Sequence, residues 1–174
     1  MNIVLDLLIV LLLVLGSALF VSAEYALITA RRARLEERAS HGGRGARTAL
    51  KLMDEPVRFI GLIQVGITVF AILIGALGEP LLSNFFEPPL SAGIAFAVAF
   101  AILTYLSVVL GELVPKAVAL QRAERIAIVL SVPLDVMARF AHPIVWLLQV
   151  SANAVLRVLR VKPAPAGMIA YTRE

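Results

Sequence analysis

The stretch "IVLDLLIVLLLVLGSALFVSAEYALITA", Ile3 to Ala30, runs directly into "RRAR", Arg31 to Arg34. A helix of about 20 apolar residues crosses a hydrocarbon core of about 30 Å. This run is longer, so it crosses with tilt or projects a turn or two beyond the bilayer. It reads as a retained span and not as a cleaved leader. No basic residue precedes it, it is too long, and a basic segment follows at once.

The rest of the chain agrees. It has 174 residues, 60% of them hydrophobic, and a mean hydropathy of +0.92. A soluble domain would be nearer half apolar. One integral membrane domain accounts for the length. The net charge is +4 with a pI near 10.0. In a soluble chain that would point to nucleic acid. Here the basic residues cluster beside apolar runs, so membrane lipid head groups are the expected partner and nucleic acid is not. Cysteine is absent, which removes disulfides and thiolate metal sites.

Working outward from the first span, "RRARLEERASHGGRGARTALKLMDEP" carries seven basic residues, from Arg31 to Lys51. "HGGRG" divides it into two short amphipathic helices joined by a turn. Leu35, Leu50, Leu52 and Met53 are expected to rest on the lipid interface. A second span is read over Val57–Leu77 and a third over Ile94–Val114. The Pro- and Gly-rich loop between them, "GEPLLSNFFEPPLSAG", holds Glu79 and Glu87 and no basic residue. The excess of Lys and Arg on cytoplasmic loops then sets the topology. The segment after the first span is cytoplasmic, the loop between the second and third is outside, and Lys116, Arg122 and Arg125 return the chain to the cytoplasm.

The last apolar stretch, Ile126–Leu156, is flanked by basic residues at both ends and interrupted by Pro133, Asp135, Arg139, His142 and Pro143. An Arg at the bilayer centre costs roughly 2.5 kcal/mol or more. The expectation is helices in the cytoplasmic interface, broken at the prolines. The fold class is therefore all-α integral membrane. Three transmembrane helices are joined by cytoplasmic-side juxtamembrane helices at about 31–54 and 117–160, all within a transmembrane domain over 1–160. The N-terminus is outside and the C-terminus cytoplasmic. The tail "VKPAPAGMIAYTRE" reads as a linker, 161–174, to a cytoplasmic domain beyond it.

Few polar residues lie in the spans. On the third, Thr104, Ser107 and Gly111 share one helix face, with Glu112 beside it. On the second, Gly61, Gln64, Thr68 and Gly75 form a stripe; on the first, Ser17 and Glu24 do. Gly, Ser and Thr at such positions commonly let helices pack closely. A carboxylate in a span more often lines an ion path or a watery cavity. Glu112 can alternatively pair with Lys116 at i+4, and Glu24 with the basic segment. In "GELVPK", Gly111–Lys116, Pro115 has no N–H for the carbonyl of Gly111 four residues back. A bared carbonyl and a carboxylate then sit in adjacent residues. Gln64 and Thr68 offer oxygens, Gly66 lets backbone approach, and Ser17 and Ser22 offer hydroxyls. An all-oxygen set with one carboxylate suits Mg²⁺, Ca²⁺ or Na⁺ and not copper or zinc. No nucleotide motif or nucleophile–base pair appears, so an ATP-driven pump within this chain is excluded and an enzyme is not expected.

The same residues resemble the transmembrane module of the CorC/CNNM magnesium transporters. "FVSAEYALITARRARLEE" resembles its first-span signature, "RFIGLIQVGITVFAILIGALGEP" its second span, and "GELVPK" its Gly-Glu-x-x-Pro-Lys motif, in the right order over nearly the whole chain. The resemblance implies a plasma-membrane homodimer with three spans per subunit. It implies Mg²⁺ transport, as Na⁺-coupled efflux by alternating access. It also implies cytoplasmic CBS domains that bind ATP, beyond Glu174. Carried over by motif, the ion ligands are Ser17, Ser22, Gly111 and Glu112, with a second-span contribution near Gly66. Where many members carry Asn in that second span, Ile67 and Phe70 stand here, so Gln64 or Thr68 substitutes. The competing class is a membrane scaffold or a Mg²⁺ sensor that moves no ion.

Overall fold

The computed structural model describes residues 3–87 and 90–159. Residues 161–174, read above as a linker, lie outside them. In chain order the helices are α1 (Ile3–Thr29), α2 (Arg32–Ser40), α3 (Arg44–Asp54), α4 (Pro56–Leu73), α5 (Glu79–Phe86), α6 (Ala92–Val108), α7 (Val114–Gln121) and α8 (Ala123–Val158). Single π-helical turns, Ile74–Gly78 and Val109–Leu113, join α4 to α5 and α6 to α7. The protein is an all-α membrane protein. Four of its helical stretches are long and apolar enough to cross a bilayer: Val4–Thr29, Pro56–Phe86, Ala92–Gln121 and Ala123–Val158.

Three sequence expectations change. First, the helix beginning at Pro56 does not end at Leu77. It continues through the π turn to Phe86, because Pro80 falls in the first turn of α5, where its missing N–H costs nothing. Likewise the third stretch does not stop at Val114. The π turn absorbs the register, and Pro115 sits at the start of α7. Second, the terminal stretch is one helix that runs through Pro133 and Pro143. Each proline removes a backbone hydrogen bond, at about 3 kcal/mol in a helix interior. A continuous buried stripe from Ala123 to Val145 packs α8 on α3, α1 and α4 and offsets that loss. Third, Leu35 and Leu52 are core residues, 0% and 2% exposed, and do not rest on lipid. Leu50 and Met53 pack against the same core.

The basic segment folds as two helices with the turn at Gly42, whose φ of 88° is open to glycine. Arg32 bridges Glu36 at 3.0 Å and Asp54 at 2.7 Å, which ties α2 to the end of α3. α3 lies tightly on α8. The Ser131 hydroxyl donates to the Gly45 carbonyl at 2.7 Å, and Asp135 takes both Lys51 at 3.3 Å and Arg139 at 2.6 Å. A Cβ at Gly45 would stand 2.4 Å from the Ile128 carbonyl oxygen, so only glycine allows this approach.

α1 and α4 interlock by exchange. A Cβ at Gly16 of α1 would meet the Phe70 ring of α4 at 2.2 Å, and one at Gly66 of α4 would meet the Phe20 ring of α1 at 2.3 Å. Each helix thus seats an aromatic ring in the other's glycine notch, with the two rings 5.9 Å apart. The core falls into two clusters. One joins the C-terminal half of α1 to α2, α3, the start of α4, α7 and α8; the other joins the N-terminal half of α1 to Ile74, Leu82, Ala99 and Leu103.

Candidate cation-binding site

Between the clusters, α1, α4, α6 and the two π turns surround a cavity of ≈ 590 Å³. Ser17 and Glu24 face it from α1, Thr104 and Ser107 from α6, Glu112 from the second π turn, Lys116 from α7, and Glu79 from the start of α5.

The second π turn builds the site. The N–H of Val114 bonds the carbonyl of Val109, five residues back. Such a turn inserts one extra residue and re-aims those that follow, and it recurs at functional sites. It buries Gly111 against α1. A Cβ there would lie 3.7 Å from Ser17 Oγ and 3.8 Å from Val14 Cγ1, an ordinary contact distance. Gly111 therefore brings its backbone up to Ser17, and Pro115 supplies no N–H four residues on to occupy its carbonyl. Glu112 turns into the cavity and forms an ion pair with Lys116. The ammonium of Lys116 also lies 5.1 Å from the centroid of the Tyr25 ring, a cation–π distance. The Lys116 and Glu112 side chains are 27% and 50% exposed, so the pair is open to the cavity and not sealed in the core. Ser107 Oγ is buried and has no hydrogen-bond partner among the described residues. A buried hydroxyl left so costs about 1–3 kcal/mol, which an incoming cation or its water would recover.

Of the residues picked out by sequence, Ser17, Gly111 and Glu112 come together here. The others do not in this arrangement. Ser22 faces a separate groove between α1 and the α7–α8 corner. Gln64 and Thr68 face a third groove against Val145 and Gln149 of α8, and the Thr68 hydroxyl donates to the Gln64 carbonyl at 2.7 Å. Gly66 is covered by Phe20. Sequence reasoning had set Ser107 and Thr104 down as packing residues and had placed Glu79 in a loop. The stripe at i, i+3, i+7 that includes Ser107 was the available signal. For Glu79 it was the tripeptide Leu-Gly-Glu, which occurs at 77–79 and again at 110–112, at or just after a π turn and with a Pro beyond it.

Among the described residues no three His, Asp or Glu side chains gather to hold a metal. The oxygens around the cavity are the carboxylates of Glu24, Glu79 and Glu112 and the hydroxyls of Ser17, Thr104 and Ser107, with the Gly111 backbone beside Ser17. That set fits a hard cation that keeps several of its waters, as Mg²⁺ does.

Residues 7–174 match the family model described as the cyclin M transmembrane N-terminal domain, CNNM. The chain is 36% identical over 174 residues to a UPF0053 protein of Synechocystis sp., covering 95% of this chain and 39% of the relative. It is 35% identical over 157 residues to UPF0053 protein YhdT of Bacillus subtilis, covering 85% and 34%. It is 31% identical over 157 residues to a protein of Haemophilus influenzae named Polyamine export protein, covering 86% and 36%. The chain thus spans between a third and two-fifths of the length of these relatives.

Proposed function

This chain belongs to the CNNM family of transmembrane domains, and on that premise we propose that it is the membrane module of a Mg²⁺ transporter. The observation that carries the reading is that Ser17 and Glu112 line one cavity, with Gly111 packed against Ser17 and with the Ser107 hydroxyl, unpartnered among the described residues, in the same wall. Glu112 supplies the charge. The Gly111 carbonyl and the hydroxyls replace part of the water shell, and retained waters complete the octahedron that Mg²⁺ demands. Mg²⁺ here is cargo. Its arrival displaces the ammonium of Lys116 from Glu112, and its departure lets Lys116 return. Na⁺-coupled efflux by alternating access is the transport mode we propose, in a homodimer at the plasma membrane with ATP acting only through a cytoplasmic CBS-type domain.

We read three spans and a juxtamembrane α8, with the N-terminus outside. In support, α8 joins only the core cluster at the basic end of the molecule and touches neither α5 nor α6. Thiol labelling of Val158→Cys from the outside alone would contradict that topology.

A second reading has a specific observation behind it. Lys116 already lays an alkylammonium on Tyr25 and Glu112, and Glu24 and Glu79 offer two further carboxylates in the same cavity. That is recognition chemistry for a polyamine, the cargo in one relative's name. A third reading is a Mg²⁺ sensor that moves nothing. Purified protein in liposomes separates all three. Mg²⁺ flux supports the first reading, polyamine flux without Mg²⁺ flux the second, and Mg²⁺ binding without any flux the third.

A further inference from the structure

The groove that receives Ser22 is a separate feature from the cavity. It holds ≈ 580 Å³ between α1 and the corner where α7 meets α8. Its walls are apolar: Leu15 is 51% exposed, Leu110 40% and Val118 45%. Along α1 it runs from Leu11 to Ser22. At 1.5 Å per residue that is about 17 Å, close to half of an about 30 Å hydrocarbon core, which is one leaflet. Ala18 and Ser22 keep its floor small enough for an alkyl chain to lie in it.

One end of the groove is charged. Arg122 and Arg125 line it, both are exposed, and neither has a carboxylate partner among the described residues. The nearby Glu124 is turned away to Arg34, at 3.5 Å. Arg122 stands at the break between α7 and α8, and its side chain does not cap the new helix. The first N–H groups of α8 add a partial positive charge at the same corner. An apolar channel one leaflet deep, closed by two unneutralised arginines and a helix start, matches an anionic phospholipid in both length and charge.

We propose that this groove binds one anionic phospholipid, with an acyl chain along Leu15, Leu19, Leu110 and Val118 and its phosphate on Arg122 and Arg125. The orientation read above is used only to name that leaflet as cytoplasmic. The lipid props α1 against the α7–α8 corner, on the far side of α1 from the cation cavity.

The test is native mass spectrometry of the purified chain in detergent, offered equal phosphatidylglycerol and phosphatidylethanolamine with identical acyl chains. Two arginines near the headgroup predict a preference of about 30-fold for phosphatidylglycerol. The Arg122→Gln/Arg125→Gln double variant is expected to lose most of that preference, and Val118→Trp to reduce retention of both lipids. In the unaltered chain, a photoactivatable phosphatidylglycerol should label peptides spanning 11–22 and 110–130. Equal retention of the two lipids would overturn the proposal. So would label confined to the α2–α3 basic segment, or a full preference kept in the double variant. Efficient disulfide formation between two copies carrying Val118→Cys in native membranes would instead assign the groove to a second copy. None of these readouts depends on Mg²⁺ transport, so the lipid site and the transport reading fail independently.

Discussion

Lys116 reaches back one helical turn and pairs with Glu112, so the carboxylate offered to a cation is already occupied by a tethered one. Lys116 and the incoming ion compete for a single charge. A partly exposed i,i+4 pair contributes about 0.2–1 kcal/mol. Lys116→Met should therefore tighten Mg²⁺ binding by no more than about fivefold. Calorimetry of both proteins at one ionic strength would check it. Weaker Mg²⁺ binding in the variant would show that Lys116 orients Glu112 and does not compete with the ion.

Ser107→Ala removes a buried hydroxyl that has no partner among the described residues. Without Mg²⁺ the variant should be as stable as the parent or slightly more so, since deleting an unsatisfied polar group is not destabilising. With saturating Mg²⁺ it should gain less in melting temperature than the parent does, because ligand stabilisation follows affinity. Melting curves with and without Mg²⁺ separate this from a packing role, for which the loss would be the same in both.

Gly111→Ala places a methyl group at ordinary contact distance from Ser17 and Val14, so the protein should fold. The same methyl fills the space beside the Ser17 hydroxyl, 3.7 Å from its Oγ. Mg²⁺ affinity should fall about tenfold or more while the melting temperature without Mg²⁺ stays within a few degrees, on the roughly 1.4 kcal/mol scale of one decade. Unchanged affinity by calorimetry would remove Gly111 from the site.

The glycine notches separate structure from site. Gly16→Ala and Gly66→Ala each drive a Cβ to within 2.2–2.3 Å of a phenylalanine ring. Overpacking of this kind costs typically 1–3 kcal/mol. Gly75 and Gly93 have nothing within 4 Å of the same position. There alanine should be neutral or stabilising by up to about 1 kcal/mol, since glycine is the weaker helix former. Thermal unfolding in one detergent ranks the four. A Gly66→Ala protein as stable as Gly75→Ala would contradict the interlock of α1 and α4.

Much of this was legible in the sequence. Length and hydropathy mark the apolar helices, and "HGGRG" marks the turn between α2 and α3. "GELVPK" marks a place where a carboxylate adjoins a carbonyl to which Pro115, four residues on, offers no N–H. What was not legible depends on register. Pro80 and Pro115 read as helix ends, but π turns place each of them in a fresh first turn, where proline is at home. No local pattern distinguishes that from a break. Pro133 and Pro143 read as breaks for the same reason, and only the packing of α8 on α3 decides otherwise. Gly66 looked open to a ligand because its occupant, Phe20, comes from a helix more than forty residues earlier. Ser22 and Ser17 are five residues apart, which in a helix points them away from each other, to different grooves.

The central claim is that Glu112 holds a Mg²⁺ ion in transit, and Mg²⁺ flux in proteoliposomes with Glu112→Gln tests it most directly. An imposed Na⁺ gradient should drive Mg²⁺ through the parent in the direction opposite to Na⁺ flow. The variant should bind Mg²⁺ about 30-fold more weakly, as expected for about 2 kcal/mol lost with one charged partner, and should show no flux above empty liposomes. Flux in Glu112→Gln equal to that of the parent would contradict the account.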